Sequence, residues 1–76
     1  MKVNVRCFGS LAEKIGSTVT ASLEEGATLR DLLLSLGADP EGISVLVLNG
    51  RQVTVEAALQ DGDNVMLVPP VIGGYL

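Results

Sequence analysis

The chain has 76 residues, with five Lys and Arg against nine Asp and Glu, no His, no Trp and one Cys, for a net charge of −4. That length makes one domain that buries only about 60% of its unfolded surface, leaving little material to wall a deep catalytic cleft. The composition excludes Ser–His and Cys–His nucleophile pairs, imidazole or multi-thiolate metal sites and a disulfide framework, and the acidic charge argues against nucleic acid. From Met1 the sequence alternates at once, with no signal-peptide core and no apolar run long enough to cross a bilayer. The expectation is a cytoplasmic protein with no membrane partner, and not an enzyme.

Lys2 to Phe8 alternates strictly, which predicts a strand with Val3, Val5 and Cys7 inward and Lys2, Asn4, Arg6 and Phe8 outward. Gly9 breaks it. Ser10-Leu11-Ala12-Glu13 then has the form of a capping box for a helix of about one turn, ended by Gly16. Thr18 to Leu23 reads as a second strand. Thr28 is placed as the N-cap of the main helix, whose Leu29, Leu32, Leu33 and Leu36 form one apolar stripe. Asp31 suits the positive end of that helix, Gly37 terminates it, and Pro40 prevents its resumption.

Ile43 to Leu48 predicts an apolar strand, joined through an Asn49-Gly50 type I′ turn to a partner over Arg51 to Thr54. Ala57 to Gln60 reads as one more helical turn and Asp61-Gly62-Asp63 as a tight turn. Asn64 to Val68 is the last strand, stopped by Pro69-Pro70, which offer no ladder donor. This is a small α+β protein: a mixed sheet of four or five strands, its first and last strands central, with one main helix on one face. Residues 1–70 form the body and 71–76 a C-terminal tail.

Side-chain chemistry is sparse. Cys7 falls on the inward face and reads as a small buried hydrophobe, with no cation on its own face to lower its pKa. Asp61 and Asp63 lack the further ligands of a calcium loop and read as a solvated turn, so no metal site is expected. Gly9 to Gly16 lacks the Lys-Ser/Thr ending of a phosphate loop.

The outward residues are more informative. If Leu46 and Leu48 face the core, Val45 and Val47 face out, and with Phe8, Met66 and Val68 they form an apolar strip suited to a protein partner. Past Pro70, Val71-Ile72-Gly73-Gly74 could project about 13 Å, at roughly 3.3 Å per residue. Gly73 and Gly74 lack β-carbons, so the main chain there fits a channel too narrow for other residues.

The run D-G-D-N-V-M-L-V-P-P-V-I-G-G closely resembles the small sulfur carriers of molybdopterin and thiamin biosynthesis, which are ubiquitin-like β-grasp proteins. The likeness extends to the opening V-x-V-x-x-F-G, the E-G-A-T-L entry to the helix, the N-G hairpin and the A-L-x-D-G-D approach to the last strand. The P-P-V-x-G-G ending points to the molybdopterin branch.

The resemblance implies a β-grasp fold and a reaction at a main-chain carboxyl. An E1-like adenylating partner uses ATP on the carboxylate of Gly74, and sulfur from a cysteine persulfide then leaves a thiocarboxylate. A sulfur-acceptor synthase subunit (MoaE-like) receives that sulfur, and the carrier itself binds no cofactor. Val71, Ile72 and Gly73 would lie in the partner's channel, with Phe8, Val47, Met66, Val68 and Pro70 at the interface. The family pattern ends at the second glycine, whereas Tyr75 and Leu76 follow here. The resemblance therefore implies a processing site between Gly74 and Tyr75, cut by a JAMM-type metalloprotease. The alternatives are a ubiquitin-like modifier joined to lysines through Gly74, a carrier for thiamin or another sulfur-containing metabolite, and a β-grasp binding module that is never unmasked.

Overall fold

The computed structural model describes residues 1–70. Five strands form one sheet: β1 Lys2–Cys7, β2 Thr18–Ser22, β3 Val45–Leu48, β4 Arg51–Val53 and β5 Asn64–Val68. Their order is β2-β1-β5-β3-β4, with β1 and β5 parallel at the centre and every other pair antiparallel. Two helices, α1 Gly9–Ile15 and α2 Leu29–Ser35, accompany the sheet, with a single 3-10 turn at Pro40–Gly42.

The alternation in the sequence decides the inner face. Val3, Val5 and Cys7 of β1, Leu46 of β3, and Val65 and Leu67 of β5 are buried. They meet Leu29, Leu32 and Leu33 of α2, which are wholly buried, while Leu36 is partly buried against the same core. Each such side chain contributes roughly 1.5–3 kcal/mol through removal from water.

The ends of α2 are satisfied locally. Thr28 and Asp31 form a reciprocal capping box, with the Thr28 amide donating to Asp31 Oδ2 at 2.9 Å. At the other end the Ala38 amide donates to Leu33 and the Gly37 amide to Leu34, the two bonds of a Schellman stop, with Gly37 at φ +78°. The hairpin between β3 and β4 has Asn49 at φ +51° and Gly50 at φ +85°, as a type I′ turn requires.

The structure departs from the sequence-based expectations in three places. Ser10 does not cap α1: the N-cap is Phe8, which makes no side-chain capping bond, and Gly9 at φ +58° turns the chain straight from strand into helix. The helix therefore starts before Ser10 and runs for 7 residues rather than about one turn.

Ala57 to Gln60 is not helical. Its backbone is used elsewhere: the amides of Leu29 and Arg30 donate to the carbonyls of Ala57 and Val55, and Leu59 donates to Ala27. Thr28 and Ala58 form an isolated bridge. This segment satisfies the first amides of α2, which have no partner within their own helix.

The strands are also shorter than their apolar runs. β1 stops at Cys7, β2 at Ser22 and β4 at Val53, and β3 begins only at Val45, although single ladder bonds reach one residue further at Phe8, Leu23 and Ser44. Among the described residues no helix is long and apolar enough to cross a membrane.

Candidate functional site

The outer face of the sheet gathers what the sequence scatters. Register places Arg6, Met66, Val47 and Gln52 in one row across β1, β5, β3 and β4. The next row pairs Val68 with Val45, and the Phe8 amide donates to Leu67 O at 3.2 Å, continuing the β1–β5 ladder beside it. Phe8 is 37% exposed, while Val45, Val47, Met66 and Val68 are half-buried, so the strip is open to a partner. Phe8, Val47, Met66 and Val68, all expected as interface residues, are thus brought to one face.

That strip ends where the described residues end. β5 closes at Val68, whose carbonyl accepts from the Ser44 amide at 3.1 Å, and the chain continues into half-buried Pro69 and exposed Pro70. A methyl group at Gly9 would lie 3.2 Å from Pro69 Cγ, so glycine at that corner lets Pro69 pack against the β1–α1 turn. Nothing local in the sequence marks this contact between residues 60 positions apart. Val71, Ile72, Gly73, Gly74 and Tyr75 lie outside the described residues.

The electrostatics of the face are one-sided. The five described strands carry Lys2, Arg6 and Arg51 and none of the nine carboxylates of the chain, which sit in helices, turns and loops. The sheet is therefore cationic within an acidic protein. Arg6 stands beside Met66 at the margin of the apolar strip. Its placement was legible only as an outward residue of β1, because the neighbour that matters comes from β5.

The other candidates remain structural. Cys7 is buried at 3% exposure, and burial pushes its thiol pKa above the ordinary value. Asp61 accepts the Lys2 amide at 2.7 Å, and Asp63 accepts the Gln60 amide at 2.7 Å and the Asn49 side chain at 2.9 Å. These carboxylates hold the turn before β5. Among the described residues, no three His, Cys, Asp or Glu side chains are grouped as metal ligands.

A mixed five-stranded sheet in this order, its central pair parallel and helices packed on it, defines the ubiquitin-like β-grasp class. Within that class the chain belongs to the ThiS family, whose model matches residues 5–74. It is 34% identical to small archaeal modifier protein 3 of Haloferax volcanii, over 97% of this chain and 100% of the relative. The crystal structure of SAMP1 from Haloferax volcanii superposes with a TM-score of 0.78 at 29% identity, covering 97% of this chain and 100% of that one. A chain from the complex of subunits 1 and 2 of the molybdopterin-converting factor of Helicobacter pylori gives a TM-score of 0.66 at 29% identity, covering 97% and 100%. The family thus comprises small ubiquitin-like carriers and modifiers, and its neighbours include molybdopterin-type subunits.

Proposed function

We propose that the protein is a sulfur carrier of the molybdopterin type, acting through the main-chain carboxyl of Gly74 and made competent by cleavage of the Gly74–Tyr75 bond. The observation that carries this reading is the joint position of strip and exit. The last described residues, Pro69-Pro70, follow β5 beside Phe8 and Val68, so a partner seated on the strip meets the point from which the sequence runs on to Gly73-Gly74.

In this reading hydrolysis frees the Gly74 carboxylate, which an E1-like partner couples to ATP with release of pyrophosphate. A persulfide of a partner cysteine then displaces AMP from the acyl carbon to give an acyl disulfide. A second thiol attacks the partner cysteine's sulfur, so that the S–S bond breaks to leave the Gly74 thiocarboxylate and a cysteine disulfide. A MoaE-like synthase subunit takes up the sulfur, a step supported by the subunit complex of Helicobacter pylori among the neighbours. ATP is bound by the partner, and the carrier supplies only the carboxyl and the docking face. A JAMM-type metalloprotease is the class of enzyme that removes Tyr75 and Leu76.

Pyrophosphate exchange with the cognate adenylating enzyme tests the proposal, using the full chain and a 1–74 form. Exchange from 1–74 alone is expected, and comparable exchange from both forms overturns the processing step. The likeness to small archaeal modifier protein 3 favours one second reading, attachment to lysines of other proteins through Gly74. Intact-mass analysis of the cellular protein separates the two. Replacement of one oxygen by sulfur marks the carrier, and isopeptide-linked conjugates mark the modifier.

A further inference from the structure

The sheet has two edges, and they are unequally protected. β4 is 3 residues long and carries Arg51, whereas β2 presents Thr-Val-Thr-Ala-Ser over 5 residues with no charge and no proline. It pairs with β1 in unbroken register, without a bulge. Natural edge strands are usually blunted by charge, proline, bulges or shortness, and β2 has none of these.

The ladder fixes which groups the edge displays. Met1 and Leu23 exchange both hydrogen bonds, and the Cys7 amide donates to Ser17 O. The intervening bonded pairs are then Val3–Ala21 and Val5–Val19, because bonded and non-bonded pairs alternate in an antiparallel ladder. Thr18, Thr20 and Ser22 therefore turn their amides and carbonyls away from β1. None of those six groups has a hydrogen-bond partner among the described residues.

Side chains around the edge describe an occupant. On the inner side Val19 and Leu23 are half-buried on either side of buried Ala21, leaving apolar surface along that face of the edge. Just beyond Leu23 lies a depression of about 370 Å³, lined by Leu23, Glu24, Glu25, Gly26, Ala27 and Asp31. Asp31 is committed to the cap of α2, while Glu24 and Glu25 form no ion pair or side-chain hydrogen bond among the described residues.

We propose that the β2 edge is a second binding site, separate from the strip on β5 and β3, which takes an extended peptide of another protein by strand addition. The peptide has apolar residues at alternate positions and a Lys or Arg at the end that meets Glu24 and Glu25. Main-chain bonds to Thr18, Thr20 and Ser22 give affinity, and the alternate side chains and the basic end give selectivity. A second copy of this chain offers the acidic end nothing: two β2 edges paired antiparallel about Thr20 would set Glu24 opposite Gly16 and Glu25 opposite Ile15, positions that carry no cation.

The test is titration of the isotope-labelled full chain with the synthetic peptide Lys-Ile-Thr-Val-Thr-Val-Lys and with its counterpart carrying Glu at both ends, followed by NMR. The Lys-flanked peptide is expected to shift the amides of Thr18, Thr20 and Ser22 and slow their hydrogen exchange, binding about fivefold tighter than the Glu-flanked one at low salt. Thr20→Pro is expected to abolish binding while the β1 ladder survives, since the Thr20 amide points outward. Should that variant misfold, Glu24→Lys with Glu25→Lys provides the check by reversing the preference between the peptides. Absence of shifts on β2, shifts confined to Met66 and Val68, or equal binding of both peptides would overturn the proposal. So would a dimer in sedimentation that excess peptide fails to dissociate.

Discussion

Single residues at the corner between β1 and α1 settle how the chain leaves the sheet. Gly9 combines φ +58° with a close approach to Pro69 Cγ, so any side chain there meets both backbone strain and contact. Gly9→Ala is expected to cost about 1–3 kcal/mol in urea unfolding. It should also move the amide resonances of Phe8 and Val68. Leu33→Ala, at a position with 0% exposure, should cost about 2–5 kcal/mol by the same measurement. Cys7 is expected to resist alkylation in the native state and react at once in denaturant, because burial raises its pKa and closes access. The core accepts the neutral thiol, so its contribution to stability is fully present below the unfolded pKa and is lost as pH rises through the raised native one. The inward set Val3, Val5, Cys7 is plain from alternation alone. The Ser10–Glu13 motif misleads because the tight turn at Gly9 moves the helix start ahead of Ser10.

At the scale of elements, α2 is held by its ends as much as by its stripe. Its start is closed by Thr28, by Asp31 and by carbonyls of Val55 and Ala57. Thr28→Ala is expected to lower stability by about 1 kcal/mol and to speed hydrogen exchange in the first turn before any other part of the helix. Arg30 joins the same corner to the loop through Glu56 at 2.9 Å, with Glu41 at 4.0 Å. That pair raises the pKa of a guanidinium already charged at every working pH, and exposure keeps it weak. The helix, its glycine stop and the Asn49-Gly50 hairpin are legible because each depends on contacts within a few residues. The stretch Ala57–Gln60 is not, because its hydrogen bonds go to a helix start some thirty positions away.

For the whole molecule, segregation of charge and apolar surface outweighs any one contact. Met66→Asp puts a carboxylate into the strip without touching the buried inner face. It should leave urea stability nearly unchanged yet raise the half-saturating carrier concentration in pyrophosphate exchange about tenfold or more. A variant that lost stability to the same degree would remove Met66 from the docking face. The sequence by itself determined which side chains are inward, where α2 starts and stops, that no histidine chemistry is present, and that Gly73-Gly74 follow a proline stop. These depend on periods of two and 3.6 residues and on turn chemistry, all local properties of the chain. Tertiary structure alone decided the register that sets Arg6, Met66, Val47 and Gln52 side by side across β1, β5, β3 and β4. It also decided that Gly9 seats Pro69 and that Thr18, Thr20 and Ser22 face outward from an open edge. Neighbours in a sheet are chosen by long-range pairing and register, and adjacent residues in the sequence do not carry that information.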